Sequence, residues 1–147
     1  MKRKYGLLGL LLVSGADAAA RNKVRPKNVL FIAVDDMKPA LGCYGDRVAR
    51  TPHIDALAAD GAVFRRAYCQ QAVSGPTRAS LLTGLRPEEV GVTELNTWMR
   101  AKVPDVVTLP QAFREAGYET RGVGKIFHGT KNSLDERSWS ERPSLYE

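Results

Sequence analysis

The sequence predicts an α/β protein, on three observations. An unbroken apolar run over residues 29–34 stops at two carboxylates, helix-like segments are bracketed by proline and glycine, and the two patterns alternate along the chain. Val29, Ile32 and Val34 make half of that run β-branched, which suits a strand buried on both faces, as in a parallel sheet. Thr51 is placed to cap a short helix, with Pro52 at its first position and Gly61 just past its end. Its Ile54, Leu57 and Ala58 share one face. Residues 62–69 read as a second strand, interrupted by Arg65 and Arg66. Pro76 opens a helix through Ala79, Leu81 and Leu82 that Gly84 closes. Thr108 caps a further helix carrying Leu109, Ala112, Phe113 and Ala116, stopped by Gly117, and residues 118–126 return as a strand. The order strand, helix, strand, helix, helix, strand is that of the first half of a larger doubly wound sheet. The tail from residue 129 is polar and irregular and ends without a closing element; no internal repeat or low-complexity tract occurs.

At 147 residues the chain has room for one domain, and 44% hydrophobic with 26% charged residues excludes a polytopic membrane protein and a coiled coil. Lys2, Arg3 and Lys4 precede an apolar run, residues 5–13, that is too short to span a bilayer. Ala16, Asp17 and Ala18, followed by Ala19 and Ala20, offer a small-residue cleavage site. Residues 1–20 therefore read as the signal peptide of an exported protein, periplasmic or secreted, with no stable membrane insertion. Residues 21–27 read as a basic linker and residues 28–147 as the globular part. Losing the leader removes three basic groups and one acid and lowers the net charge from +6 to +4. Scattered charge of that size argues against nucleic acid as a partner. Cys43 and Cys69 lie outside metal-ligand spacing and read as two buried thiols rather than a disulfide.

Three segments carry residues suited to chemistry. Asp35 and Asp36 follow the first expected strand, at the edge where open α/β sheets place ligands. They suit either a hard divalent cation or a solvated turn. Ser74, Gly75, Pro76, Thr77 and Arg78 run into a helix, which puts Ser74 at a helix mouth where free amides favour an anion, with Arg78 one turn on. A serine there is either a cap or a nucleophile. Lys125 and His128, three residues apart at the end of the last expected strand, suit an anionic oxygen or proton exchange with one. The pattern places all three segments at one sheet edge.

Residues 74–84 resemble the sulfatase signature, SxPxR leading to a TG, and residues 117–128 resemble the second signature of that family, GYxT followed by GKxxH. The opening, Asn28 through Asp35 and Asp36 to Gly42, Cys43, Tyr44, Gly45, Thr51, Pro52, Ile54 and Asp55, is similar to the start of the same family. The resemblance implies an alkaline phosphatase-like fold, of which this chain is the N-terminal, incomplete part. It also implies a sulfuric ester hydrolase in which Ser74 becomes formylglycine, converted by an anaerobic-type, Ser-accepting maturase. Asp35, Asp36 and the modified Ser74 would hold calcium, Arg78 would stabilise the deprotonated diol, and Lys125 and His128 would contact diol and sulfate. The implied substrate is a sulfated sugar of glycosaminoglycan type.

The family draws further metal ligands, and a second His and Lys, from later in a longer chain. Beyond His128 this sequence has only Asp135, Glu136, Glu141 and Glu147 as carboxylates and no further His. The isolated chain is therefore expected to be inactive, with an exposed apolar face and an unpaired edge. Two other readings are a phosphomonoester or phosphonate hydrolase of the same superfamily and a non-catalytic module that binds sulfated glycan.

Overall fold

The computed structural model describes residues 27–145. The expected signal peptide over residues 1–20 lies outside the described residues, as does the expected linker apart from Lys27. The chain divides into two compact units, Met1–Phe31 and Ile32–Glu147, and every helix described lies in the second.

Helices α1, Pro52–Asp60, and α2, Ser74–Thr83, form where proline and glycine punctuation places them. Thr51 precedes α1 but does not cap it with its side chain. Its Oγ1 instead accepts from Gly42 N at 2.9 Å and donates to Asp55 Oδ1 at 3.0 Å, which ties α1 to the turn at Gly42–Tyr44. Helix α2 begins two residues before Pro76, and Gly84 ends it in the left-handed conformation at φ 73°, a backbone that costs glycine nothing. Pro87–Val90 forms α3, where Glu89 Oε2 accepts from Arg86 N at 2.9 Å, and Met99–Lys102 forms α4. Helix α5, Leu109–Glu115, is capped as expected: Thr108 Oγ1 accepts from Gln111 N. Thr130–Ser133 forms α6.

The core gathers between α2 and residues 90–139. Ala79 and Leu82 of α2 pack with Val90, Val92, Met99, Phe127 and Trp139, and Phe127 meets Trp139 edge to face at 6.1 Å between centroids. Beside this core runs a buried polar network. Arg100 donates from Nε to Asp135 Oδ1 at 2.6 Å, and from Nη2 to Asp135 Oδ2 at 2.9 Å and Gln111 Oε1 at 2.8 Å. Its Nη1 donates to the carbonyls of Pro104 and Val106. Ser138 Oγ donates to Asp135 Oδ2 at 2.6 Å and lies 2.6 Å from Thr108 Oγ1. Every arm of the guanidinium thus has a partner, which is what its burial requires.

The expected strands carry no ladder. Among the described residues the β contact is an isolated parallel bridge between Val123 and Ser144. Backbone bonds from Ser140 N to Thr120 O, Ser144 N to Gly122 O and Gly124 N to Ser144 O extend it along the tail. Leu30 is 84% and Ile32 70% exposed, and Phe64 and Tyr68 of the second expected strand are exposed as well. The reason is physical: a strand apolar on both faces is stable only between neighbouring strands and under covering layers, and the described residues supply neither. Ile54 and Leu57 of α1 are exposed for the same want of a covering layer. The two thiols are free, but the expectation that both are buried is corrected, since Cys69 is exposed and Cys43 half-buried.

Candidate active site

The first turn of α2 puts Ser74 and Arg78 on neighbouring rungs of one helix. Close packing fixes where that turn sits. A Cβ on Gly75 would stand 2.7 Å from Glu94 O and 3.0 Å from Leu95 Cα, so only glycine lets the backbone of α2 approach the 94–95 strip this closely. Arg78 is 6% exposed and acts in two directions. Its Nη1 donates to the carbonyls of Lys125 at 2.6 Å and Ile126 at 2.9 Å, and its Nη2 donates to Asp35 Oδ1 at 2.9 Å. Ser74 Oγ donates to the same oxygen at 3.2 Å, while Lys125 Nζ pairs with Asp35 Oδ2.

Asp35 is therefore the meeting point of three chain segments. The Lys125 ammonium and then the Arg78 guanidinium hold its carboxyl down at about 2, against an ordinary 3.8, so it is an anion throughout the neutral range. One carboxylate between two cations leaves the cluster with a net positive charge beside a hydroxyl at a helix N-terminus. That charge balance and the helix N-terminus chemically suit an anion.

Of the six residues the sequence singles out, the structure brings together Asp35, Ser74, Arg78 and Lys125. Asp36 and His128 make no hydrogen bond or ion pair to these four. Asp36 sits next in the chain, in the left-handed region at φ 51°, a conformation aspartate tolerates better than most residues. His128 follows Phe127 on the same loop as Lys125; its Nδ1 is buried without a hydrogen-bond partner. Asn132 holds that loop, and sequence reasoning missed it: its Nδ2 donates to the carbonyls of His128 and Thr97, and its Oδ1 accepts from Met99 N, each at 3.0 Å. An asparagine four residues after His128 was the signal available.

The donor set does not by itself make a calcium cage. Calcium takes six to eight oxygens, whereas Asp35, Asp36 and Ser74 offer two carboxylates and a hydroxyl, and both oxygens of Asp35 already carry cations. No group of three metal-ligating His, Cys, Asp or Glu side chains occurs among the described residues.

A hydroxyl at the head of a helix, an arginine one turn along it and a lysine on a distant loop are thus all gathered on one aspartate. The chain belongs to the sulfatase family, whose family model, described as Sulfatase, matches residues 27–138. Membership implies an alkaline phosphatase-like α/β fold. Among its relatives, iduronate 2-sulfatase of Homo sapiens is 43% identical over 145 residues, covering 92% of this chain and 26% of that protein. A sulfatase of Formosa agariphila is 34% identical over 139 residues, covering 87% of this chain and 27% of that protein. N-acetylglucosamine-6-O-sulfatase of Bacteroides thetaiotaomicron is 36% identical over 120 residues, covering 81% of this chain and 21% of that protein. The chain spans about a quarter of the length of the curated relatives it matches.

Proposed function

We propose that this chain supplies the nucleophile-bearing, N-terminal part of an exported iduronate 2-sulfatase-like enzyme that removes sulfate from glycosaminoglycan-type sugars. The observation that carries the reading is the convergence of Ser74, Arg78 and Lys125 on Asp35 from 39, 43 and 90 positions away. Export rests on the leader pattern of residues 1–20, and residues 28–147 are read as one end of the family's doubly wound sheet.

Ser74 is the residue to be oxidised to formylglycine by a Ser-accepting maturase, and its surroundings suit that group. It stands half-buried at the first position of α2, with an acceptor carboxylate on one side and two cations within that carboxylate's reach. When hydrated, formylglycine supplies two hydroxyls on one carbon, one to attack sulfur and one to release the bound sulfate. Arg78 and Lys125 receive the negative sulfate group and offset the charge that grows on its oxygens during transfer. Asp35, ionised far below neutrality, orients both cations and accepts the hydroxyl proton of Ser74 in a hydrogen bond; its low basicity makes it a poor proton acceptor in the full sense. His128 buries its Nδ1 without a hydrogen-bond partner. Calcium, if Asp35 and Asp36 hold it, needs oxygen donors beyond those described in this chain.

The test joins the chain in line to the part of human iduronate 2-sulfatase outside the matched quarter, with a Ser-accepting maturase coexpressed. The Ser74 peptide should lose two hydrogens in mass, and aryl sulfate turnover should appear and vanish in Ser74→Ala. The unjoined chain should stay at background. Aryl phosphate turnover with unmodified Ser74 would instead establish the phosphomonoester hydrolase reading. Salt-sensitive heparin binding that ignores Ser74→Ala, without turnover, would establish the glycan-binding one.

A further inference from the structure

We infer that Asn132 is a positioning residue: through the His128 carbonyl it sets where the His128 imidazole stands relative to the cluster on Asp35. What His128 then does rests on the sulfatase reading proposed above; what Asn132 does to it rests on geometry alone.

Residues 124–129 form neither helix nor strand, so the loop that carries Lys125 and His128 has no ladder to fix it. Side chains fix it instead. Arg78 Nη1 donates to the carbonyls of Lys125 at 2.6 Å and Ile126 at 2.9 Å, Ser133 Oγ to that of Phe127 at 3.5 Å, and Asn132 Nδ2 to that of His128 at 3.0 Å. Phe127, 2% exposed, plugs the middle of the loop into the core. The two polar side chains of the loop are not held equally. Lys125 has a second restraint, its ammonium on Asp35. His128 has none: its Nδ1 is buried without a partner, and among the described residues the bond from Asn132 is the one hydrogen bond that residue 128 makes.

The carboxamide of Asn132 fits its three neighbours in a single orientation. The carbonyls of His128 and Thr97 can only accept and the Met99 N–H can only donate, so Nδ2 faces the first two and Oδ1 the third. Met99 opens α4 and is 1% exposed in the core. Asn132, itself 9% exposed, thus carries the position of the packed core across to residue 128. Aspartate would turn an anion toward two carbonyls, leucine has the shape without a polar atom, and glutamine reaches one carbon too far. Gly129, at φ 79°, makes the turn that brings Asn132 back within reach of the His128 carbonyl. Displacing a group that meets a reacting atom by about 1 Å costs about a hundredfold in rate, so a hold of this kind bears on chemistry it never touches.

The experiment has two arms. The first uses the unjoined 147-residue chain, whose two histidines, His53 and His128, give separate ring signals in NMR. Asn132→Leu and Asn132→Asp should shift or broaden the His128 ring signals and leave those of His53 in place. Asp55→Ala, which removes the acceptor of Cys43 N and Thr51 Oγ1 at the turn before α1, should destabilise the chain in urea without moving His128. Near-ultraviolet dichroism from Phe127 and Trp139 checks that each variant keeps its core; if Asn132→Leu loses it, Asn132→Ser, smaller and with one donor, takes its place. The second arm uses the chain joined to the unmatched part of human iduronate 2-sulfatase, matured as above. There Asn132→Leu should lower kcat on aryl sulfate by about a hundredfold. In a His128→Ala background the same change should cost less than about threefold more, because a residue that acts through His128 has nothing left to position. Unmoved His128 signals in the Asn132 variants, equal movement in Asp55→Ala, or the full loss of turnover repeated in the His128→Ala background would overturn the inference. A joined chain without sulfatase turnover counts against the proposed function, and the ring signals then decide this inference by themselves.

Discussion

Asp135→Ala takes away the carboxylate around which Arg100, Ser138 and Thr108 are arranged, and its cost is set by the bonds that vanish. Two contacts from Arg100, at 2.6 and 2.9 Å, and one from Ser138, at 2.6 Å, are lost at a side chain only 6% exposed. The guanidinium stays buried, still donating to Gln111, Pro104 and Val106, which softens the penalty but does not cancel the stranded charge. Breaking one side of a buried pair costs about 3–5 kcal/mol, a large share of the roughly 5–15 kcal/mol that holds a domain of this kind together. With a urea dependence of about 2 kcal/mol per molar, the unfolding midpoint should fall by about 2 M. Arg100→Met should cost a similar amount near neutral pH, because the bare carboxylate then keeps only Ser138. The double variant Arg100→Met with Asp135→Leu should recover most of the loss, giving a coupling of about 2–3 kcal/mol in the cycle. Burial pushes the Asp135 carboxyl up, but hydrogen bonds from Arg100 and Ser138 outweigh it and hold it below the usual range. The pair's contribution is therefore complete above the unfolded carboxylate pKa and lost as acid titrates the folded group. A single-variant cost under about 1 kcal/mol, or a double variant equal to the sum of the singles, would refute the assignment of this network as the internal brace of the domain.

Acid should also loosen the site. Asp35 contributes its stabilisation in full above its unfolded pKa of 3.8 and loses it as pH falls through about 2. At a side chain about one third exposed, solvent screening reduces that contribution to about 1 kcal/mol. In Lys125→Met the Asp35 carboxyl inflection, followed by NMR, should move upward toward the ordinary value, and an unmoved inflection would refute the ion pair. Gly75→Ala should destabilise the chain by about 1–3 kcal/mol in urea unfolding, since the new methyl would meet backbone rather than a flexible side chain. A neutral result would mean that α2 is free to shift away from residues 94–95.

Helices α1, α2 and α5 are legible from the proline, threonine and glycine that punctuate their ends, even though Thr51 turns its hydroxyl to Gly42 and Asp55 rather than capping α1. The four-residue helices α3, α4 and α6 are not, since one turn is shorter than any periodicity can register. The strand-like runs are visible as composition, but pairing is a property of two segments, and residues 29–34 find no second one among those described. Asp35, Ser74, Arg78 and Lys125 are recoverable from local patterns at three loops. That Lys125 would bind Asp35 across 90 positions, or that Arg78 would clamp the carbonyls of residues 125 and 126, is written in no single pattern. The Arg100 network is harder still: its members are ordinary polar residues, bonded pairs among them up to 35 positions apart, and only folding makes them neighbours.

The tail carries a practical lesson for anyone trimming this chain. The family match ends at residue 138, yet Trp139 stands against Phe127 beyond that limit, and Ser140 and Ser144 return to residues 120–124, just ahead of Lys125. A cloning boundary drawn at the end of the match would unzip this seam and leave the lysine loop untethered. Expression limits are better set past Ser144.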